Sequence, residues 1–391
     1  MQKVRIGQNL SKSAPLHSGV PQGSVLGPLL FLIFIGDLDN QITTDNINIF
    51  KYVDDSKLII NLNKEDDVLD AQHEMEKVYK WAQTNNMKWN NTKFQVLRTG
   101  RSSAIEENTS YFSPEYSNII EEVDVVRDLG IHIDSDLSYR SHRSITLKKV
   151  WKKLGWVKRT FRTRNISFLK TVWNSLIQPY TDYGSVLVCP VQKGEKRDYE
   201  KPLKTFTKLA PECKNMSYWD RLKKFRLFSA ERRMERYKVT YIWKSLHGLV
   251  PSLGLEWING GSRKGWHLKY PKILAPEGRY RTLQRNSIHW EGIRIFNSLP
   301  SEIRLFSGTK EAFKNILDKY LEMLPDQPEV DGMIPGGLDL YQKASNSIAD
   351  WPKVLGIRDD FPMYSHDDIV SPNCDLPVSG SETISVPHTC V

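Results

Sequence analysis

The chain has 391 residues, of which 39% are hydrophobic and 26% charged, enough for a buried core and for two or three domains. Eleven tryptophans exclude a generally disordered chain, and four scattered cysteines without a CxxC pair exclude a disulfide framework and a zinc site of ordinary spacing. The net charge of +9 is uneven: Pro325 to Val391 carry three basic and eleven acidic residues, a net −8, so the first 324 residues carry +17. A body of that charge favours a polyanionic partner.

In chain order, VRIG near the start reads as a strand running into a loop, and SGVPQGS (Ser18 to Ser24) as a Gly/Pro-punctuated loop. The apolar run VLGPLLFLIFIG (Val25 to Gly36) is too short to span a membrane and has no cleavage-site residues after it. It is expected to be a buried helix with Pro28 in its first turn, ending near Asp39. With no targeting signal in view, the expected location is intracellular, in the nucleus or cytoplasm, neither secreted nor in a membrane. INIFKYV and KLIINL read as two strands flanking Asp54 and Asp55. Next, Val68, Ala71, Met75, Val78 and Ala82 recur at helical spacing behind an acidic first turn. KFQVLRTG (Lys93 to Gly100) reads as a strand, and VVRDLGIHID (Val125 to Asp134) as a strand or tight hairpin.

After Leu137 the pattern turns helical. Arg140 to Lys170 hold eleven Lys or Arg and no acidic residue. Val150, Leu154 and Val157, with Leu147 and Phe161, form one stripe, and the cations cover the other face. FLKTVWNSLIQPY (Phe168 to Tyr180) predicts a helix that stops near Pro179, and SAERRMERYKVTYIWKSLHGL (Ser229 to Leu249) one capped by Ser229 and ending near Gly248. From Pro325 onward, the Pro, Gly, Ser and Asp content predicts a flexible acidic tail.

Two adjacent aspartates between apolar strands have two readings. An Asp-Asp turn is commonly just solvated. Paired carboxylates at a strand-turn-strand tip also suit magnesium, which prefers oxygen ligands and serves phosphoryl or nucleotidyl transfer. Neighbouring strand residues point to opposite faces, so a full site needs a carboxylate from another strand. The stretch KKVWKKLGWVKRTFRTR mixes Trp151, Trp156 and Phe161 with cations, the combination that grips a nucleic-acid strand by charge and stacking. Equally, its aromatics could face a core while its lysines solvate a helix.

SGVPQGSVLGPLLFLIFIGDL followed by YVDDSKLII resembles the reverse transcriptases of non-LTR retrotransposons, especially jockey-like elements. The likeness continues through MKWNNTKFQVL, DLGIHIDSDLSYRSH, LIQPYTDYGS, SYWDRLKKFRLFSAERRMERYKVTYIWKSLHGLVP and IFNSLPSEI, over roughly residues 3 to 325. It implies an α+β chain: a partial polymerase palm over 1–137, a mainly α-helical thumb and C-terminal region over 138–325, and an acidic, disordered tail over 326–391. It further implies RNA-directed DNA synthesis by two-metal catalysis with Mg2+, an RNA template, a DNA primer and deoxynucleotides. Asp54 and Asp55 match the metal-binding pair, and Lys93 a lysine that protonates the departing pyrophosphate. Gly19, Gln22 and Gly23, with Tyr52, match the nucleotide and template contacts, while Leu129, Gly130 and Ile131 match the primer grip. Lys148, Lys149, Lys152, Lys153, Lys158 and Arg159 fall where a thumb holds nucleic acid. Val53 departs from the alanine more often found between the aromatic residue and the aspartates.

The family's polymerases place a further metal-binding aspartate upstream of SGVPQGS, yet Met1 to Gly36 contain no Asp or Glu. The expectation is therefore a truncated reverse transcriptase, inactive alone unless another chain supplies the missing palm strand. The alternative is a non-catalytic nucleic-acid-binding module.

Overall fold

The computed structural model describes residues 3–15, 19, 23–62, 66–87, 89–90, 93–100, 110–113, 119–259, 266–269, 286–326 and 346–349. The chain divides into two compact units, Met1–Thr146 and Leu147–Val391.

The first unit mixes strands and helices. Strands β1 (Arg5–Ile6) and β2 (Asn9–Leu10) make a small exposed hairpin, where the sequence suggested one strand and a loop. Helix α1 (Gly27–Ile35) has its proline in the first turn, where a missing N–H costs nothing. A 3-10 turn, Gly36–Gln41, follows and buries Leu38.

The expectation of a buried helix is corrected here. Gly27 and Ile35 are buried, whereas Leu29, Leu30, Leu32 and Ile33 are each at least half exposed. A helix that is apolar on every side needs neighbours on every side. Within its unit α1 packs along one edge, through Ile35, Phe31 and the Phe34–Trp81 ring pair at 6.0 Å.

Strands β3 (Ile47–Tyr52) and β4 (Asp55–Ile60) pair antiparallel from Ile47↔Ile60 to Tyr52↔Asp55. Of the expected face, helix α2 (Asp66–Thr84) buries Val68, Ala71, Val78 and Ala82 against this hairpin and half-buries Met75; Tyr79 and Trp81 are buried as well. Of the strand expected over Lys93 to Gly100, two residues are paired. β5 (Gln95–Val96) runs parallel to β6 (Glu121–Glu122), while Phe94 packs on Tyr79 and Trp89. β7 (Val125–Asp128) and β8 (Ile131–Asp134) resolve the next segment as a tight hairpin. Its turn residues, Leu129 (φ 45°) and Gly130 (φ 85°), both take positive φ, the geometry that matches strand twist in two-residue hairpins.

The second unit is helical. Helix α3 (Arg140–Thr160) crosses the boundary in sequence and buries the anticipated stripe of Val150, Leu154 and Val157. Helix α4 (Ile166–Val172) is capped by Asn165 and passes through a π-helical turn, Trp173–Ile177, into α5 (Gln178–Asp182). Pro179, expected to stop a helix, instead occupies the first turn of α5, because the preceding π turn breaks the bonding register.

Then come α6 (Ser185–Val188), α7 (Lys193–Thr207), α8 (Tyr218–Phe225) and α9 (Ala230–Leu246). The Ser229 hydroxyl caps α9 by accepting from the Arg232 N–H, and Gly248 turns the chain just past its end at φ 66°, both as anticipated. β9 (Glu256–Asn259) pairs antiparallel with β10 (Trp266–Lys269), and α10 (Ile293–Asn297), α11 (Ser301–Arg304) and α12 (Lys310–Met323) close the unit. One core joins α3, α4, α7 and α8 around Trp173, Phe206 and Phe225. A second joins α9 to the last three helices around Trp243, Phe296 and Phe313.

Residues 346–349, which composition assigned to a disordered tail, are seated in that second core. Ile348 is fully buried and its N–H donates to Glu235 at 2.7 Å. The remainder of that tail, 327–345 and 350–391, lies outside the described residues.

Candidate functional site

Asp54 and Asp55 sit at the tip of the β3–β4 hairpin, exposed to solvent with Tyr52 beside them. Tyr52 and Asp55 close a two-residue loop made of Val53 and Asp54. Val53 takes φ 56°, the left-handed region that a β-branched residue enters only under strain. Holding the chain there closes the turn in two residues and sets Asp54 in the loop next to Asp55, the first residue of β4.

The cations flanking the tip are drawn elsewhere. Lys51 binds Asp39 at 3.0 Å and the carbonyl of Ile35 at 2.8 Å, tying β3 to the end of α1. Lys57 pairs with Asp128 of β7, tying the two hairpins together. Among the described residues no basic side chain pairs with Asp54 or Asp55. Two uncompensated carboxylates in open water suit a hydrated divalent cation, which needs oxygen ligands and room for waters. They supply part of a coordination shell. Among the described residues no group of three His, Cys, Asp or Glu is placed to hold a metal.

The other anticipated contacts are dispersed. Lys93 is exposed before β5, its N–H donating to Asn90 at 3.0 Å, and no described contact joins its side chain to the aspartates. Gly19 (φ 81°) and Gly23 (φ 80°) have left-handed backbones and open space where a Cβ would stand, so at these two positions the backbone is bare. Gln22 lies outside the described residues. Leu129, Gly130 and Ile131 form the tip of the β7–β8 hairpin, the hairpin that Lys57 holds.

On α3, Lys148, Lys149, Lys152, Lys158 and Arg159 are exposed and Lys153 is half-buried; among the described residues none pairs with a carboxylate. Trp151 and Trp156 are 40% and 41% exposed, so neither indole is a core residue. Lys153 lies over the Trp156 ring at 5.2 Å, and Trp156 meets Phe161 edge-on at 5.5 Å. The helix thus shows solvent a cationic face with indoles set into it, and keeps Val150, Leu154 and Val157 for the core.

A buried polar network in the second unit escaped the sequence reading. Asp182 of α5 accepts from Arg233 at 3.3 Å and from the Tyr237 hydroxyl at 2.8 Å. Glu200 of α7 accepts from the Tyr218 hydroxyl and from the Ala230 N–H at 2.8 Å. Burial pushes the Glu200 carboxyl up to about 7. Burial and the adjoining Asp182 push the Tyr237 phenol up to about 12. The available signal was Arg232, Arg233 and Glu235 standing at core spacing within a helix that also buries Met234, Val239 and Trp243.

Residues 2–133 match the family model for reverse transcriptase (RNA-dependent DNA polymerase). A Drosophila melanogaster protein, the RNA-directed DNA polymerase from mobile element jockey, is 24% identical over 44% of this chain and 20% of its own length. An uncharacterised protein of Caenorhabditis elegans is 27% identical over 32% of this chain and 63% of its own length. The chain thus spans about a fifth of the first relative and less than two thirds of the second. No solved structure matches it. The two-aspartate hairpin falls inside the matched stretch, and residues 2–133 are accordingly a reverse transcriptase segment of the kind carried by non-LTR retrotransposons.

Proposed function

We propose that the first unit is the metal-binding part of a polymerase palm, belonging to an RNA-directed DNA polymerase of retrotransposon replication. The observation that carries this is the strained hairpin tip with two uncompensated carboxylates, lying inside a reverse transcriptase segment. Asp54 and Asp55 would hold magnesium, whose charge would offset that gathering on phosphate oxygens during nucleotidyl transfer. Gly19, Gln22, Gly23 and Tyr52 would line the nucleotide and template, and Lys93 would deliver a proton to pyrophosphate. The β7–β8 tip would bear on the primer, and α3 would act as thumb. We infer as part of the same reading that the chain by itself does not polymerise, because Met1 to Gly36 supply no further carboxylate to the pair.

Primer extension with an RNA template, a DNA primer, deoxynucleotides and magnesium tests this. We expect no product from the chain alone. Extension that disappears in Asp54→Ala would overturn the inactivity while keeping the assignment of the hairpin.

A second reading, a nucleic-acid-binding module without catalysis, is favoured by the cationic face of α3. Exposed lysines interleaved with half-exposed indoles are the means by which proteins hold single strands. Reversing Lys148, Lys149, Lys152 and Lys153 to glutamate should weaken RNA binding by about tenfold or more and flatten its salt dependence. Unchanged affinity would remove α3 from the interface.

A further inference from the structure

The second unit contains an open cleft of about 480 Å3 between the end of α9 and the start of α12, lined by Trp243, Lys244, His247, Leu249, Thr309 and Lys310. That volume falls within the range of small-ligand pockets. Its wall is an aromatic stack. Trp243, 1% exposed, lies against Phe313 at 4.6 Å on one side and His247 at 4.1 Å on the other. The Trp243 indole N–H donates to the Phe306 carbonyl at 2.8 Å, and His247 Nδ1 lies 2.8 Å from the Trp243 carbonyl. His247 is therefore a ring held from behind and from its edge, in an exposed residue. A surface ring fixed in this way offers a stacking platform with little rotamer entropy left to lose.

The surroundings are cationic. Lys244 and Lys310 line the cleft, and among the described residues no carboxylate does. Lys314, one turn along α12 from Lys310, is held below the ordinary lysine range by burial and then by the nearby charges of Lys310, Arg236 and Lys244. Burial is the larger cause, and the neighbouring positive charges act in the same direction. Arg236 is occupied by Asp318, and Lys310 shares its charge with exposed Glu311 at 3.2 Å. Lys244 and Lys314 pair with no carboxylate among the described residues. A planar apolar group carrying negative charge satisfies both halves of such a cleft.

We propose that this cleft binds one nucleoside phosphate unit of a single-stranded nucleic acid, the base stacked on His247 and the phosphate facing Lys244 and Lys310. The choice of a nucleotide over another aromatic anion rests on the nucleic-acid reading given above. The site itself is separate in sequence from α3 and from the aspartate hairpin.

The test is photocrosslinking of the full chain to an oligoribonucleotide containing 4-thiouridine, combined with fluorescence anisotropy of the same RNA. We expect a crosslinked peptide spanning Trp243 to Leu249. His247→Ala should weaken binding about tenfold, the scale of one lost base stack, and His247→Phe should restore most of it. Lys244→Glu should weaken it similarly. Free AMP at millimolar concentration separates two sources: suppression of that crosslink identifies an isolated nucleotide as sufficient, and persistence assigns the site to a strand, either result placing a nucleoside phosphate in the cleft. RNA binding that depends on the α3 lysines but ignores His247→Ala, with crosslinks confined to other peptides, overturns the cleft and spares α3. The converse, loss with His247→Ala and indifference to α3 charge reversal, overturns the thumb reading and spares the cleft.

Discussion

Val53 shows how much a single backbone angle can carry. Its φ of 56° places a β-branched side chain in the left-handed region, at a cost on the order of 1 kcal/mol or more. The side chain is 53% exposed, so little burial opposes the strain. Val53→Asn, which tolerates that region, should raise stability by about 1 kcal/mol in urea denaturation; a loss would mean that the valine's packing outweighs its backbone. Glu200 offers a pH test of opposite character. Its carboxyl, raised to about 7 chiefly by burial, titrates near 4.5 when the chain unfolds. Between those values the folded state binds more proton than the unfolded one, so stability falls as pH rises from about 4.5 to about 7. Burial raises Glu235 to about 7 as well, and it adds to the same slope. Glu200→Gln should remove part of it, on the order of 1–3 kcal/mol across the window, read as the thermal midpoint against pH. An unchanged slope would show that Glu200 is not the group responsible. The aspartate pair was legible in the sequence because consecutive charges interrupt an apolar pattern. The detours of Lys51 to Asp39 and Lys57 to Asp128 were not, since those partners are 12 and 71 residues away and no local pattern links them.

At the level of elements, periodicity read α2, the buried stripe of α3, and α9 with its Ser229 cap, because amphipathic spacing and capping chemistry are local. It misjudged α1, where burial depends on how many neighbours the fold supplies and not on the residues of the helix. It also misjudged the segment around Pro179. A π turn shifts hydrogen bonding by one residue without altering composition, and so conceals how a proline can continue a helical path. That explanation implies that Pro179 is tolerated and is not a shaping residue. Pro179→Ala should change stability by less than about 0.5 kcal/mol, measured by thermal unfolding; a loss above roughly 1.5 kcal/mol would show that the ring itself sets the π turn.

For the whole molecule, the chain couples a reverse transcriptase segment to a helical unit, with the cationic excess confined to residues before the acidic tail. Among the described residues no helix is long and apolar enough to cross a membrane. Charge neutralisation of a polyanion makes affinity fall steeply with ionic strength. RNA binding by the chain should therefore weaken at least about tenfold between 50 and 200 mM salt, and a flat dependence would mean that the charge excess serves no nucleic-acid partner.

The seat of Ile348 bears on where this protein can be cut. Anyone trimming it by composition would end the chain near Pro325 and discard what looks like a dispensable acidic extension. Doing so would pull a plug from the second core and strip Glu235 of the amide that Ile348 donates to it. The excised version should melt several degrees lower and expose greasy surface, although every helix that periodicity can find would still be there.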